Sequence, residues 1–220
     1  MPWIASTPGT AVDRRLAIVH ADTDWYDAGS LGEAALNDES DCGAVRTGEE
    51  TMRRAMCLFA VSYAAIHNDV DKGRNLLRAW DLEDSLTPIE KGFLTAVPMP
   101  ANQRIALSWR CEAMVPLMWA TGLFEMMPEP AGTFDFEYLS EFWLTVPAGY
   151  WKDVKIRPEA EIISATDHIR DLHWRLRDAE LHHRPPPPGI DQGVVIERHH
   201  ALNWLCRYED DDWDDVATDT

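Results

Sequence analysis

The sequence predicts a mainly α protein: a single compact helical domain around a buried central helix at about residues 101–127, with little or no β. Three observations carry that expectation. The stretch 101–127 is apolar nearly all round, with Ile105, Trp109, Trp119 and Leu123 on one side and Leu107, Cys111, Met114 and Met118 on another. A helix of that kind needs cover on several sides. Elsewhere, apolar residues recur at helical spacing between recognisable start and stop signals. No two segments alternate apolar and polar residues as a strand pair would. With 220 residues, 45% of them apolar, the chain can bury a substantial core, and one domain suits that length.

Residues 1–45 are the least regular part and form an irregular N-terminal segment. A short helix fits residues 10–20, and Trp3, Trp25 and Tyr26 are candidates to pin the segment onto the core. Residues 46–220 make up the helical domain. Its first helix starts near Thr47, where Thr47 and Glu50 have the spacing of a capping box, and Met52, Met56, Phe59, Tyr63 and Ile66 repeat on one face to about Asn68. A second helix follows at about 71–80. Thr87 and Pro88 open a third, short one, with Phe93 and Leu94 facing inward. Pro98 and Pro100 separate it from the central helix, where Pro116 removes a backbone donor and predicts a bend.

Beyond the central helix, residues 135–144 suggest another helix, and 149–156 read as extended. A long helix then runs over about 158–184. Glu159 and Glu161 lie at its positive end, and Ile162, Thr166, Ile169, His173 and Leu176 form one face. His182, His183 and Arg184 sit at its negative end, and four prolines at 185–188 stop it. The last helix covers about 190–207 with Val194, Arg198, Ala201, Leu202 and Leu205 inward. The closing twelve residues carry seven acids, yet they include Trp213 and Val216, which are costly to leave in water. That predicts a tail folded back against the last helices near Trp204, with Asp214 or Asp219 received by Arg198 or another cation.

A formal net charge of −18 repels nucleic-acid phosphate and anionic lipid, which argues against either as a partner, and it attracts a basic protein. It also serves simply to keep a protein soluble. No stretch has the unbroken apolar length of a membrane span, and Arg110 and Glu112 lie too centrally in 101–127 for one. The first residues lack a basic start and apolar run, so the expected compartment is the cytoplasm. Cys42, Cys57, Cys111 and Cys206 are widely spaced and read as buried thiols, not as a disulfide framework or zinc site.

Four stretches resemble the bacterial domain-of-unknown-function family 4272. They are Arg-Arg-Ala-Met-Cys-Leu at 53–58, Trp-Arg-Cys-Glu-Ala-Met with Leu-Met-Trp-Ala-Thr-Gly-Leu in 109–123, Arg-Pro-Glu-Ala-Glu-Ile-Ile with Arg-Asp-Leu-His-Trp in 157–174, and Glu-Arg-His-His-Ala-Leu-Asn-Trp-Leu with the closing Trp-Asp-Asp-Val in 197–220. The resemblance covers about 50–220, and Pro116 and Thr121 depart from its pattern. It implies a cytoplasmic, mostly helical domain and no particular reaction.

Candidate functional residues are the polar groups set into apolar stripes: Glu112, Asp167, Arg170, His173, Glu197 and Arg198, with Arg110 beside them. Buried charges must find partners, so these groups should meet one another. Such a cluster either locks helix register or serves as an acid/base or ligand site. Glu180 with His183, and Glu197 with His200, have the spacing used by di-metal helix bundles, but His183 sits at a helix end and the further inward glutamates are missing. No metal or cofactor is expected. His67, His168 and His199 read as isolated and exposed, and Trp109, Trp119, Trp174 and Trp204 as core. Nucleophile elbows, phosphate loops and dinucleotide fingerprints are missing from the sequence. The reading that follows is a non-enzymatic acidic interaction protein, an inhibitor or immunity-type partner of a basic protein. The alternative is a helical enzyme or small-molecule binder using the polar cluster.

Overall fold

A computed structural model describes residues 25–26, 42–96, 98 and 100–220. The expected short helix at 10–20 and the role given to Trp3 fall outside the described residues. Seven α-helices occupy the described part: α1 (Gly48–His67), α2 (Val70–Trp80), α3 (Pro88–Thr95), α4 (Ala101–Ala120), α5 (Phe136–Trp143), α6 (Glu159–Leu181) and α7 (Gln192–Leu205). The β structure described is one antiparallel pair of two-residue strands, β1 (Trp25–Tyr26) against β2 (Met127–Pro128). The fold is therefore all-helical in class, as the periodicity predicts.

The start of α1 follows from its capping box. The Glu50 N–H donates to Thr47 Oγ1 at 3.2 Å, and the Thr47 N–H donates to Glu50 Oε2 at 2.8 Å. Asn68 ends the helix in the left-handed region, φ 55°. Between these caps, every residue from Ala55 to Ser62 is fully buried, so all faces of α1 are covered in its middle. The same capping arrangement opens α3, with Thr87 and Glu90 as partners and Pro88 in the first turn.

The other central helix, α4, divides in two. Residues 112–120 are all buried and pack on α1 and α7. Its first half is largely exposed, with Ile105 60% and Trp109 37% accessible. The all-round apolar pattern thus marks burial on every side only in the second half; in the first half Leu107 is buried. Trp174, on the outer side of α6, is likewise 53% exposed, whereas Trp119 and Trp204 are core. Pro116 lies inside α4, and the helix continues past it to Ala120. Its end is sealed from outside: Arg157 donates to the carbonyls of Trp119 (2.8 Å), Phe124 (2.9 Å) and Glu125 (2.8 Å), and its own N–H donates to the Ala120 carbonyl (2.9 Å). These bonds fill acceptors that a helix terminus cannot satisfy itself.

Two expectations are corrected. Of residues 149–156, 149–153 form turns, with Gly149 and Asp153 at positive φ, and 154–156 have no regular structure, so the stretch holds no strand. A side chain at residue 48 would meet this segment: a Cβ there would lie 2.1 Å from the Val154 carbonyl oxygen, and only glycine permits that approach. Cys42 and Cys206 are joined in a disulfide, where the wide spacing suggested buried thiols. Sequence separation concealed their proximity, since they stand 164 positions apart along the chain. Cys57 and Cys111 stay free, and burial pushes both thiols up to about 12.

The C-terminal tail docks as its apolar residues predict. Trp213 is 4% exposed and Val216 7%. The Trp213 ring stands edge-on to Trp204, centroids 5.4 Å apart, and to His200 at 4.7 Å. Among the described residues Asp214 forms no ion pair with Arg198; its charge acts instead on Arg54. Its Oδ2 accepts the Ile89 N–H at the first turn of α3, at 3.2 Å.

Candidate functional site

Helix geometry sorts the predicted polar residues into separate pairs. Glu112, from the middle of α4, meets Arg198 of α7 at 3.3 Å, with the two side chains 0% and 1% exposed. Glu112 Oε1 also accepts the Phe134 N–H at 2.6 Å, and Arg198 donates to the Pro128 carbonyl at 2.5 Å. Burial raises the Glu112 pKa against the pull of Arg198 and the Phe134 amide, and burial lowers that of Arg198. Two residues earlier on α4 and one earlier on α7, Arg110 meets Glu197 at 3.0 Å. Burial raises the Glu197 carboxyl too, with Arg110 opposing. The two pairs form a ladder between α4 and α7. Asp167 and Arg170 instead face outward and pair with each other on the surface of α6 at 2.6 Å.

His173 of α6 has a partner the sequence reading misassigned. His199 is not exposed; it is fully buried and its Nδ1 lies 2.9 Å from Nδ1 of His173. One nitrogen must carry the proton and the other accept it, so the contact requires at least one neutral ring. Burial lowers both, His199 to about 4 with His173 and Arg170 contributing. His200, packed under Trp213, is pushed down to about 3, by burial first and then by Arg110. Among the described residues no group of three or more His, Cys, Asp or Glu is placed to hold a metal ion.

A cleft of ligand size lies elsewhere, lined by none of the six predicted residues. It has a volume of about 600 Å³ and forms where the first turns of α1, the segment leading into α3, and the docked tail converge. That volume falls in the range of small-molecule and peptide pockets. Trp204 and Trp213 supply aromatic wall, and Leu86, Pro88 and Ile89 an apolar rim, with Ile89 51% exposed. Asp212, Asp214 and Asp215 of the tail border it.

Three arginines also line the cleft, in different states. Arg46 is engaged throughout: it donates to the carbonyls of Trp204 (2.8 Å) and Asp211 (3.0 Å), and its guanidinium lies 4.4 Å from the Trp204 ring centre. Arg54 is bound to Glu90 at 2.5 Å with both side chains buried, although its Nε–H finds no acceptor. Burial would lower the Arg54 pKa, but Glu90, with Cys57 and Asp214 adding to it, outweighs that and the net direction is upward. Arg53 differs from both. Its guanidinium lies over the face of Trp151, 3.5 Å from the ring centre, and among the described residues it pairs with no carboxylate. Sequence reasoning missed the site because Arg53 and Arg54 read there as part of a helix motif. Their adjacency, which sends one inward and leaves its neighbour at the edge, is the signal that was present.

The chain belongs to the family described as Domain of unknown function (DUF4272), whose pattern matches residues 33–216. No curated protein and no solved structure matches it. The family segments fall on structural parts: Arg157 seals α4, Glu112 and Arg198 form the buried pair, and Trp213 anchors the tail.

Proposed function

We propose that this protein is a non-enzymatic interaction protein, of the inhibitor or immunity type, whose acidic surface receives a basic protein partner. The observation that supports this is the disposition of charge. Of the fourteen described arginines, all but Arg53 and Arg104 are engaged in ion pairs with the chain's own carboxylates, while the net charge is −18. The cations are thus largely consumed within the fold, and the uncompensated charge it presents outward is negative. Such a field steers and orients a positively charged partner.

The other reading, a helical enzyme or small-molecule binder built on Glu112, Asp167, Arg170, His173, Glu197 and Arg198, would need those groups to reach substrate. The charged ones are satisfied by one another or by Arg110, and the cleft of ligand size borders none of them. Affinity capture from the source cells, using the full chain at rising ionic strength, tests the interaction reading. A basic protein retained at low salt and released as salt screens the contact is the expected result. Recovery of no protein at low or moderate salt would overturn it.

A further inference from the structure

The cleft holds both signs of charge in an arrangement that selects for a particular ligand. Arg46 and Arg54 are committed to the fold, which among the described residues leaves Arg53 as the available cation of the cleft. Its stacking on Trp151 holds the planar guanidinium in place, so less side-chain freedom is lost when a further bond forms. A guanidinium so presented offers a fork of N–H donors that matches a carboxylate, two bonds at once. Arg54 adds a buried cation to the same wall, its side chain 5% exposed.

The acids of the cleft lining are Glu50, which Arg46 and Arg207 hold, and the aspartates of the tail. Asp212 and Asp215 are exposed, and Asp214 holds the tail to the start of α3 through the Ile89 N–H. A simple anion would be repelled by these acids, and a simple cation would leave Arg53 unanswered. A ligand with a carboxylate at one end and positive charge further along satisfies both. Leu86, Pro88 and Ile89 provide apolar surface for aliphatic stems, and the volume of about 600 Å³ exceeds what one amino acid needs.

We propose that this cleft receives the C-terminal end of a basic peptide segment, its terminal carboxylate on Arg53 and its lysine or arginine side chains toward Asp212 and Asp215. The assignment rests on the basic-partner reading above and names the part of the partner that docks. Capture of a free chain end is a recurring mode of peptide recognition, and here a preset guanidinium would hold the carboxylate. The stacked arginine then supplies selectivity for the end of a chain, and the aspartates supply attraction for the positive charge.

Calorimetric titration of the full chain with a short lysine- and alanine-containing peptide tests this, using the free acid and its C-terminal amide. The free acid should bind at least about tenfold more tightly than the amide, about 1.4 kcal/mol. Arg53→Gln should abolish that difference by weakening the free acid more than the amide, and Asp212→Asn with Asp215→Asn should weaken both peptides. The acid–amide comparison on the unaltered protein needs no variant, so it stands even if Arg53→Gln folds poorly. Equal affinity for acid and amide, a difference that survives Arg53→Gln, or no binding of either peptide would each overturn the assignment. If a basic protein is still captured in the salt experiment while neither peptide binds, the interaction reading survives and the cleft assignment alone fails.

Discussion

Arg198 and Arg53 are the same side chain in opposite circumstances, and the contrast separates structural charge from available charge. Arg198 is inside, with Glu112 on one nitrogen and the Pro128 carbonyl on another. Arg53 is half-buried at the edge of a cleft, with an aromatic face beneath it and no carboxylate among the described residues. Removing a buried charge from water is repaid only by near-complete partnering, so Arg198 has little left to offer a ligand. A guanidinium braced by an aromatic ring and still wet has lost rotamer freedom without losing its donors. Sequence chemistry alone points to the first; function is better sought at the second.

The sharpest way to break this contrast is to remove one member of the buried pair. Arg198→Met should cost about 3–5 kcal/mol, because Glu112 is left charged and unpaired in the core. Denaturant titration should show it, and the double variant Glu112→Leu with Arg198→Met should recover part of the loss. A single substitution that left the midpoint in place would remove the distinction between the two arginines.

The tail forms one wall of the cleft, so its anchor comes next. Trp213→Ala should lower stability by about 3 kcal/mol through lost burial and lost ring contacts. For a chain of this size that is roughly 6–12 °C in Tm. An unshifted melting curve would show the tail to be undocked and the cleft open on that side.

Acidification probes the histidines behind that wall. His199 and His200 have folded values of about 4 and about 3, below the unfolded value near 6.5. The unfolded chain therefore binds more protons in that interval, and stability, complete above pH 6.5, falls as pH drops toward those folded values. Melting temperatures between pH 7 and 5 should decline by several degrees. His199→Asn with His200→Asn should flatten the slope, and a slope unchanged in that variant would show other groups to be responsible.

The smallest effect belongs to Arg53. Arg53→Gln should cost about 0.5–1 kcal/mol, the loss of its contact with the Trp151 face, since among the described residues it forms no ion pair. A large loss on denaturant titration would place Arg53 with Arg198 as a structural cation.

Much of the architecture was legible because its causes are local. The Thr47–Glu50 box, the Thr87–Pro88 start and the Asp135 cap each act within four residues, and the helices begin where those signals stand. The inward place of Arg198 followed from its position between Val194 and Leu202 on one stripe. Trp213 among acids announced a docked tail, since an aromatic ring is not left in water without cost. Periodicity misled where it could not tell which neighbours would arrive: the first half of α4 has an apolar pattern but no helix covering Ile105, and His199 looked isolated until α6 brought His173 to it.

Helix positions, caps, the inward stripe of α7 and the negative surplus were therefore determined by the sequence alone, because propensity, capping and formal charge are properties of adjacent residues or of composition. Only the tertiary structure decided which acid meets which arginine, that Cys42 reaches Cys206, and that residues 46–54, 85–89 and 212–215 enclose a cleft with Arg53 at its edge. Those outcomes depend on how helices cross and where the chain returns, and segments far apart along the chain carry no local signal of their meeting.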